Sequence, residues 1–505
     1  MSTKQYALLG AALFALLPGL CAGDFSLAFT NTVGAEPQCI QAADFNGDGK
    51  IDLVTANTGD NTLTVLTNGG HGNFKTAATL NVGNLPLFVL ATDVNGDGKP
   101  DLVAVNGIHN TLSILTNNGH GGFSQMSSNS VGSFPWCVAA ADFNGDGRTD
   151  LACVNNSSST VTILTNRANS SFLQSWTVYF GGSPEFIVAA DFNGDGKQDI
   201  AIADAGADTV TVMTNDGTAH FYTNSVTATG VSPVCLAVAD INGDGRPDLI
   251  AADSGDSFLT VMTNDGKGHF AVSEYLDAGG SPQYVAAADL NGDGAADLAC
   301  VDPYSVLLTD FFNDGRGHFP RSSTVPLGDF PYGLAVGDFD GDGRIDAALA
   351  DLSDNIVIVA TNAVPGYWSG VAVAPGGFRA VLNDRTGQAY AIQASTDLRT
   401  WTTIQARLLN STSFQFVDPA AHNYAHRFYR ALRLSPVSLA ATSYAKKTGF
   451  QLSVAPAPGT KYVLQASTNL IDWTSLATNS GTNAAWNYLD VKATNLPRRF
   501  YRVAP

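Results

Sequence analysis

The sequence predicts an all-β protein: a seven-bladed β-propeller followed by two small immunoglobulin- or fibronectin-III-like β-sandwich modules. Three observations lead there. A 49-residue unit recurs seven times without insertion or deletion. The composition is that of strands and tight turns, with 51 Gly, 45% hydrophobic and only 14% charged residues. No long segment carries the 3.6-residue apolar period of an amphipathic helix. At 505 residues the chain exceeds what one core supports, so several domains are expected.

The repeat is anchored by Asp-x-Asn/Asp-Gly-Asp-Gly-x-x-Asp, starting at Asp44, Asp93, Asp142, Asp191, Asp240, Asp289 and Asp338. A proline precedes each start by seven residues, from Pro37 to Pro331. A phenylalanine series from Phe25 to Phe319 and a glycine series from Gly34 to Gly328 keep the same step. The third copy shows the four strands of one blade: Trp136 to Ala141, Leu151 to Asn155, Thr160 to Asn166 and Phe172 to Phe180. Four short antiparallel strands per repeat, seven times over, is the arithmetic of a propeller. The first strand ends in Ala, Thr or Gly in every copy, as an innermost strand beside a narrow axis requires. An orphan fourth strand, Phe25 to Val33, precedes the first full repeat, and the seventh copy lacks its own. The N-terminal strand is therefore expected to close blade 7 and remove an exposed edge. Trp368 to Gly376, in the same phase, is the alternative closure.

The acidic loop has the spacing of a calcium site. Calcium takes six to eight oxygens, which a short loop supplies from alternate residues. In the first copy Asp44, Asn46 and Asp48 offer side-chain oxygens, Lys50 its backbone carbonyl, and Asp52 closes the set. The same positions are Asp93, Asn95, Asp97, Lys99 and Asp101 in the second copy, and Asp142, Asn144, Asp146, Arg148 and Asp150 in the third. They are Asp191, Asn193, Asp195, Lys197 and Asp199 in the fourth, and Asp240, Asn242, Asp244, Arg246 and Asp248 in the fifth. The last two copies give Asp289, Asn291, Asp293, Ala295 and Asp297, then Asp338, Asp340, Asp342, Arg344 and Asp346. A plain Asx/Gly turn does not need three carboxylates within nine residues. The net charge of −19 is largely explained by these loops, since seven Ca²⁺ would offset fourteen of those charges. The acidity thus says little about a partner, though it argues against nucleic acid.

Residues 25–362 resemble the FG-GAP or VCBS repeat family, found in integrin α-chain propellers, secreted lectins and bacterial surface proteins. The resemblance implies a propeller and bound calcium, and leaves the partner open.

Residues 1–22 read as a signal peptide: Lys4, an apolar run from Ala7 to Leu17, then Pro-Gly-Leu-Cys-Ala before the expected cut after Ala22. A lipoprotein reading would use Cys21. No second run is long enough to span a bilayer. Secretion, with or without cell-surface association, and a monomeric state are expected. The five remaining cysteines, Cys39, Cys137, Cys153, Cys235 and Cys300, have neither zinc spacing nor an even count, and read as small buried hydrophobes. Only Cys137 and Cys153 are placed to pair.

One face of the propeller should carry the acidic loops and the Gly-rich hairpins, where five of the eight His lie and read as solvated turn residues. The opposite face holds the blade crossovers, where the copies differ more. Phe88, Trp136, Phe186, Tyr284 and Tyr332 follow the crossover prolines. Two readings stand side by side: inter-blade packing, or rings and amides that recognise a carbohydrate or surface protein. A non-enzymatic binding or adhesion protein is the expected function. A polysaccharide lyase or hydrolase is the alternative, with little support, because the carboxylates are almost all repeated loop residues.

After the propeller (23–362) a second period of 72 residues appears. Tyr390 to Thr396 returns as Tyr462 to Thr468, Trp401 as Trp473, and Phe428-Tyr429-Arg430 as Phe500-Tyr501-Arg502. Alternating hydropathy predicts two sandwich modules, 363–434 and 435–505, serving as spacer or attachment.

Overall fold

Seven four-stranded antiparallel sheets account for residues 25–362, six built from consecutive strands and one joining the first strand to the last three. The computed structural model describes these residues apart from 71 and 168–170, together with the strands of 367–504. The leader with Cys21, His71, Trp401 and Trp473, and the side chains of Arg430 and Arg502, lie outside the described residues. Ala22–Ala363 forms one compact unit and Val364–Pro505 belongs to another.

Blade 1 shows how sequence becomes sheet. Pro37–Ala43, Asp52–Asn57, Thr62–Asn68 and Phe74–Asn81 pair in that order from the axis outward. The second strand is buried at all six positions in every blade, which is why it reads as a continuous run and not as an alternation. The outermost strand alternates toward solvent, as in Phe74–Asn81.

Closure follows the first of the two expected routes. Phe25–Thr32 pairs antiparallel with Ile356–Asn362, from Phe25 opposite Asn362 to Thr32 opposite Ile356. Its bulge lies between Leu27 and Phe29, 49 residues before the bulge of the outer strand of blade 1. The N-terminal strand is thus a displaced member of the repeat. The alternative is overturned: Trp368 lies in Tyr367–Ala374, which pairs with Gly377–Asn383.

Blades are stapled by the aromatic at the second position of the acidic loop. Phe45, Phe143, Phe192 and Phe339 are fully buried and meet Phe123, Phe221, Phe270 and Phe74 of the following blade edge-on, with centroids 5.3–5.9 Å apart. The Phe339–Phe74 pair carries the contact across the seam. At the same seam Gly333 is required, because a Cβ there would lie 2.9 Å from the carbonyl oxygen of Gln38.

All five cysteines are buried and free, including Cys137 and Cys153, so the pairing considered from the sequence is not made. Cys137 lies opposite Val154 and Cys153 opposite Val138. Burial pushes the Cys39 and Cys235 thiols up to about 12, as expected of inert, hydrophobe-like side chains.

Blade 6 is the irregular one. Asp310 is fully buried where the other copies hold Val or Ile, and its outer strand lacks the bulge. The turn between the second and third strands puts one residue in the left-handed region in all seven blades; in blade 6 that residue is Val306, at φ 57°. A β-branched side chain is strained there. Val306→Asn is expected to stabilise the propeller by about 1 kcal/mol, read as a raised midpoint in urea unfolding.

The C-terminal strands fall into two similar sets. Three-stranded sheets form from Tyr367–Ala374, Gly377–Asn383 and Ser413–Asp418, and from Thr402–Leu408, Ala389–Ser395 and Phe428–Leu434. The strands of 438–504 repeat that order.

Candidate metal centres and the axial mouth

Each acidic loop is curled by two glycines in the left-handed region, Gly47 at φ 77° and Gly49 at 81° in the first copy. The curl turns successive amides inward onto the first aspartate. Asp44 Oδ1 accepts the N–H of Gly47 at 2.7 Å and of Asp48 at 3.2 Å, and Oδ2 accepts that of Gly49 at 2.8 Å. The same three bonds recur around Asp93, Asp142, Asp191, Asp240, Asp289 and Asp338. The ninth residue anchors the loop to its blade. Asp52 is fully buried; its Oδ2 accepts Phe45 N–H at 3.1 Å and its Oδ1 accepts Asn68 N–H at 2.6 Å.

Convergence is clearest in the seventh copy, where carboxylate oxygens of Asp338, Asp340 and Asp346 lie within 4.8 Å of one another. These are the first, third and ninth positions. In the other six copies the third position is an Asn amide. Such oxygen-only donors suit a hard cation and not zinc.

The fifth position behaves differently. Asp48 Oδ1 accepts Lys50 N–H, and Oδ2 is paired with Lys50 Nζ at 3.0 Å. Equivalent pairs join Asp97 to Lys99, Asp146 to Arg148, Asp195 to Lys197, Asp244 to Arg246 and Asp342 to Arg344. The Lys50 hydrogen bond holds the Asp48 carboxyl below its usual range. A cation entering the loop must displace this side chain to use the fifth carboxylate. Only the sixth copy, with Ala295, has no such counter-ion.

Asparagines at the end of the third strand tie each loop to the one before it. Asn215 Nδ2 donates to Phe143 O of the preceding blade at 2.8 Å and to Gln198 O of its own loop at 2.9 Å, and its Oδ1 accepts Gly217 N–H. Asn68, Asn117, Asn166, Asn264, Asn313 and Asn362 make the same inter-blade bond, so a hydrogen-bonded ring passes through all seven loops.

The buried ninth aspartates have a pH consequence. Burial raises the pKa of Asp52, Asp150, Asp199 and Asp297 to about 6 and of Asp346 to about 7, and raises Asp101 and Asp248 as well. Their unfolded values lie near about 4. Between those limits the metal-free folded state binds more protons than the unfolded chain, so its stability falls as pH rises through 4 to about 7. Metal-free protein is expected to melt higher at pH 5 than at pH 7.5. The stabilisation added by calcium should grow over the same interval, because ligation needs ionised carboxylates. Thermal scans of dialysed protein at the two pH values, with and without calcium, check both trends.

On the opposite face the five aromatics expected to touch a ligand divide into two layers. Phe88, Phe186 and Tyr284 lie two residues after their prolines and cross the axis edge-to-face, at 5.8 Å for both Phe88–Phe186 and Phe186–Tyr284. Cys39, Cys137, Cys235 and Gly333 fill the intervening positions of that ring, small between large. Phe88 and Phe186 are buried in this plug. Trp136 and Tyr332 come one residue earlier, at a β-bulge that also recurs between Pro37 and Cys39, Pro86 and Phe88, Pro184 and Phe186, and Pro233 and Cys235. A bulge re-aims its extra side chain. The seven residues at this position, Gln38, Leu87, Trp136, Glu185, Val234, Gln283 and Tyr332, all line a narrow axial cavity of about 30 Å³ whose floor is the aromatic plug. Glu185 was missed from the sequence because it belongs to no repeated motif. The available signal was that it is the sole acidic residue at a position otherwise different in nearly every copy.

A family model described as an FG-GAP-like repeat matches six overlapping segments, 44–104, 93–153, 142–202, 191–251, 240–300 and 289–349. Together they cover more than half of the chain. The chain belongs to the FG-GAP-like repeat family. No curated protein matches it. Among solved structures, BBS1N in complex with ARL6DN is similar over 68% of this chain and 97% of that one, at 13% identity and a TM-score of 0.50. A protein from Lactobacillus plantarum is similar over 75% of this chain and 97% of that one, at 15% identity and a TM-score of 0.44. At such identities the first likeness concerns the fold alone.

Proposed function

We propose that this FG-GAP repeat protein is an exported, calcium-loaded binding or adhesion protein that is not an enzyme, and that it engages an extracellular carbohydrate or surface protein through its crossover face. The inequality of the two faces carries this reading. The loop face is occupied by near-identical loops, each rich in carboxylate and amide oxygens and tied to the next by an asparagine. The crossover face gathers unlike residues around one mouth, and it exposes Ile108, Val231 and Tyr304. Calcium is the cation because every side-chain donor is a carboxylate or amide oxygen and extracellular calcium is abundant enough to fill modest sites. The leader is removed after Ala22, and the mature protein is a monomer. The C-terminal strands, two matching sets of two three-stranded sheets, support tandem immunoglobulin- or fibronectin-III-like modules acting as spacer or attachment.

A glycan array and a cell-surface capture assay, run on the mature chain with and without calcium, test the reading. Calcium-dependent capture that is lost in Trp136→Ala and Tyr304→Ala, with melting unchanged, is the expected result. Capture that maps to the His-bearing hairpins, or turnover of a bound polysaccharide, would contradict it.

A further inference from the structure

The axial mouth holds a carboxylate that the fold leaves without a partner. Glu185 is half-buried and makes no hydrogen bond or ion pair among the described residues. The described residues lining the cavity include no Lys, Arg or His. The like charge that acts on it is Asp204, opposite Pro184 on the adjoining strand, whose Oδ1 is already taken by the N–H groups of Ser183, Gly206 and Ala207. An ionised acid withdrawn from water beside a second acid is unfavourable unless it takes up a proton or a cation meets it. The bulge at the fourth blade aims Glu185 into the mouth, and the same device brings Trp136 and Tyr332 to the same cavity. Aromatic faces next to a carboxylate are the surroundings that an ammonium group prefers.

Shape narrows the class. A cavity of about 30 Å³, closed below by Phe88, Phe186 and Tyr284, admits the tip of an unbranched chain and not a sugar ring. We propose that the axial mouth binds a single primary alkylammonium group, as carried by a lysine side chain of a protein partner, with its methylenes against Trp136 and Tyr332 and its charge at Glu185. The proposal rests on the reading that partners dock on the crossover face, and deepens it by naming the chemistry recognised there.

Protonation of Glu185 should compete with the ammonium. Burial, with Asp204 nearby, raises its pKa to about 7. The other titratable groups at the mouth are Cys39 and Tyr332, each raised to about 12, and Tyr284, raised well above its usual value by burial, so none changes charge near neutrality. Binding should therefore strengthen as pH rises from 6 to 8.

The test uses the mature, calcium-loaded chain and Nα-acetyl-lysine N-methylamide as probe, followed by tryptophan fluorescence and by probe NMR. The norleucine counterpart, which has the same four side-chain carbons and no charge, is the control. The lysine probe should bind at least about tenfold more tightly than the norleucine probe, and Glu185→Gln should remove that difference at an unchanged melting temperature. Free 1-butylamine binding as well as the lysine probe would show that the amine alone is read. Tighter binding of the lysine probe would show that its peptide groups are read too; both results support the site. Equal binding of the two probes, or full binding by Glu185→Gln, would overturn it. The assay needs no knowledge of the partner. A blank surface screen with a bound probe counts against the proposed function alone, and a positive screen with no probe binding counts against this inference alone.

Discussion

Removing calcium is expected to lower the melting temperature of the mature protein by more than 10 °C. Metal binds only where the loop geometry exists, so it stabilises the folded state by mass action. At a tenfold excess over the dissociation constant each site contributes about 1.4 kcal/mol, and seven contribute roughly 10 kcal/mol if the ring unfolds as a unit. A propeller of ~340 residues has an unfolding entropy of roughly 0.7 kcal/mol/K, which converts that loss to about 14 °C. The ring of asparagine bonds is the reason to expect one transition: each loop shares a peptide carbonyl with the next blade, as Phe143 O does with Asn215. Calorimetry with and without chelator reads both the shift and the number of transitions. Loss of a single ligand, as in Asp195→Ala, should cost a fraction of the full chelation effect.

The second large effect belongs to that ring. Asn215→Ala removes one buried and one part-buried donor bond and one acceptor, leaving the carbonyls of Phe143 and Gln198 and the amide of Gly217 short of a partner. Phe143 O retains the N–H of Ala219, so it is only partly orphaned. A loss of about 3 kcal/mol is expected, or about 4 °C in melting temperature. The variant should also bind less calcium, since the peptide it releases spans Phe143, the residue whose N–H holds Asp150 of the third loop. A purely local role for Asn215 would lower the melting temperature and leave calcium binding unchanged.

The blades and their closure were legible because they depend on what repeats. A strict 49-residue step fixes strand order, and Phe25–Thr32 carries both the phase and the bulge of an outer strand. The loop backbone was legible for the same reason, since Gly47 and Gly49 both take the left-handed curl that favours glycine. Pairings between side chains were not. Lys50 entered the sequence reading only through its carbonyl, whereas its ammonium group lies on Asp48. Asn215 and its equivalents only end a strand in the sequence, and their partners lie in another blade, 72 positions back in six copies and across the seam at Phe339 for Asn68. The five crossover aromatics looked like one class, yet an offset of one residue separates the mouth from the plug, because the bulge sends Trp136 outward while Phe186 and Tyr284 cross the axis. Glu185 escaped notice because its significance lies in having no counterpart.

The most direct test of the central claim is the calcium stoichiometry of the mature chain, stripped of metal and then dialysed against millimolar calcium. Seven ions per chain, measured by atomic emission and taken up together with the rise in melting temperature, are predicted. A chain that retains one ion or none, and melts at the same temperature in calcium and in chelator, would contradict the account.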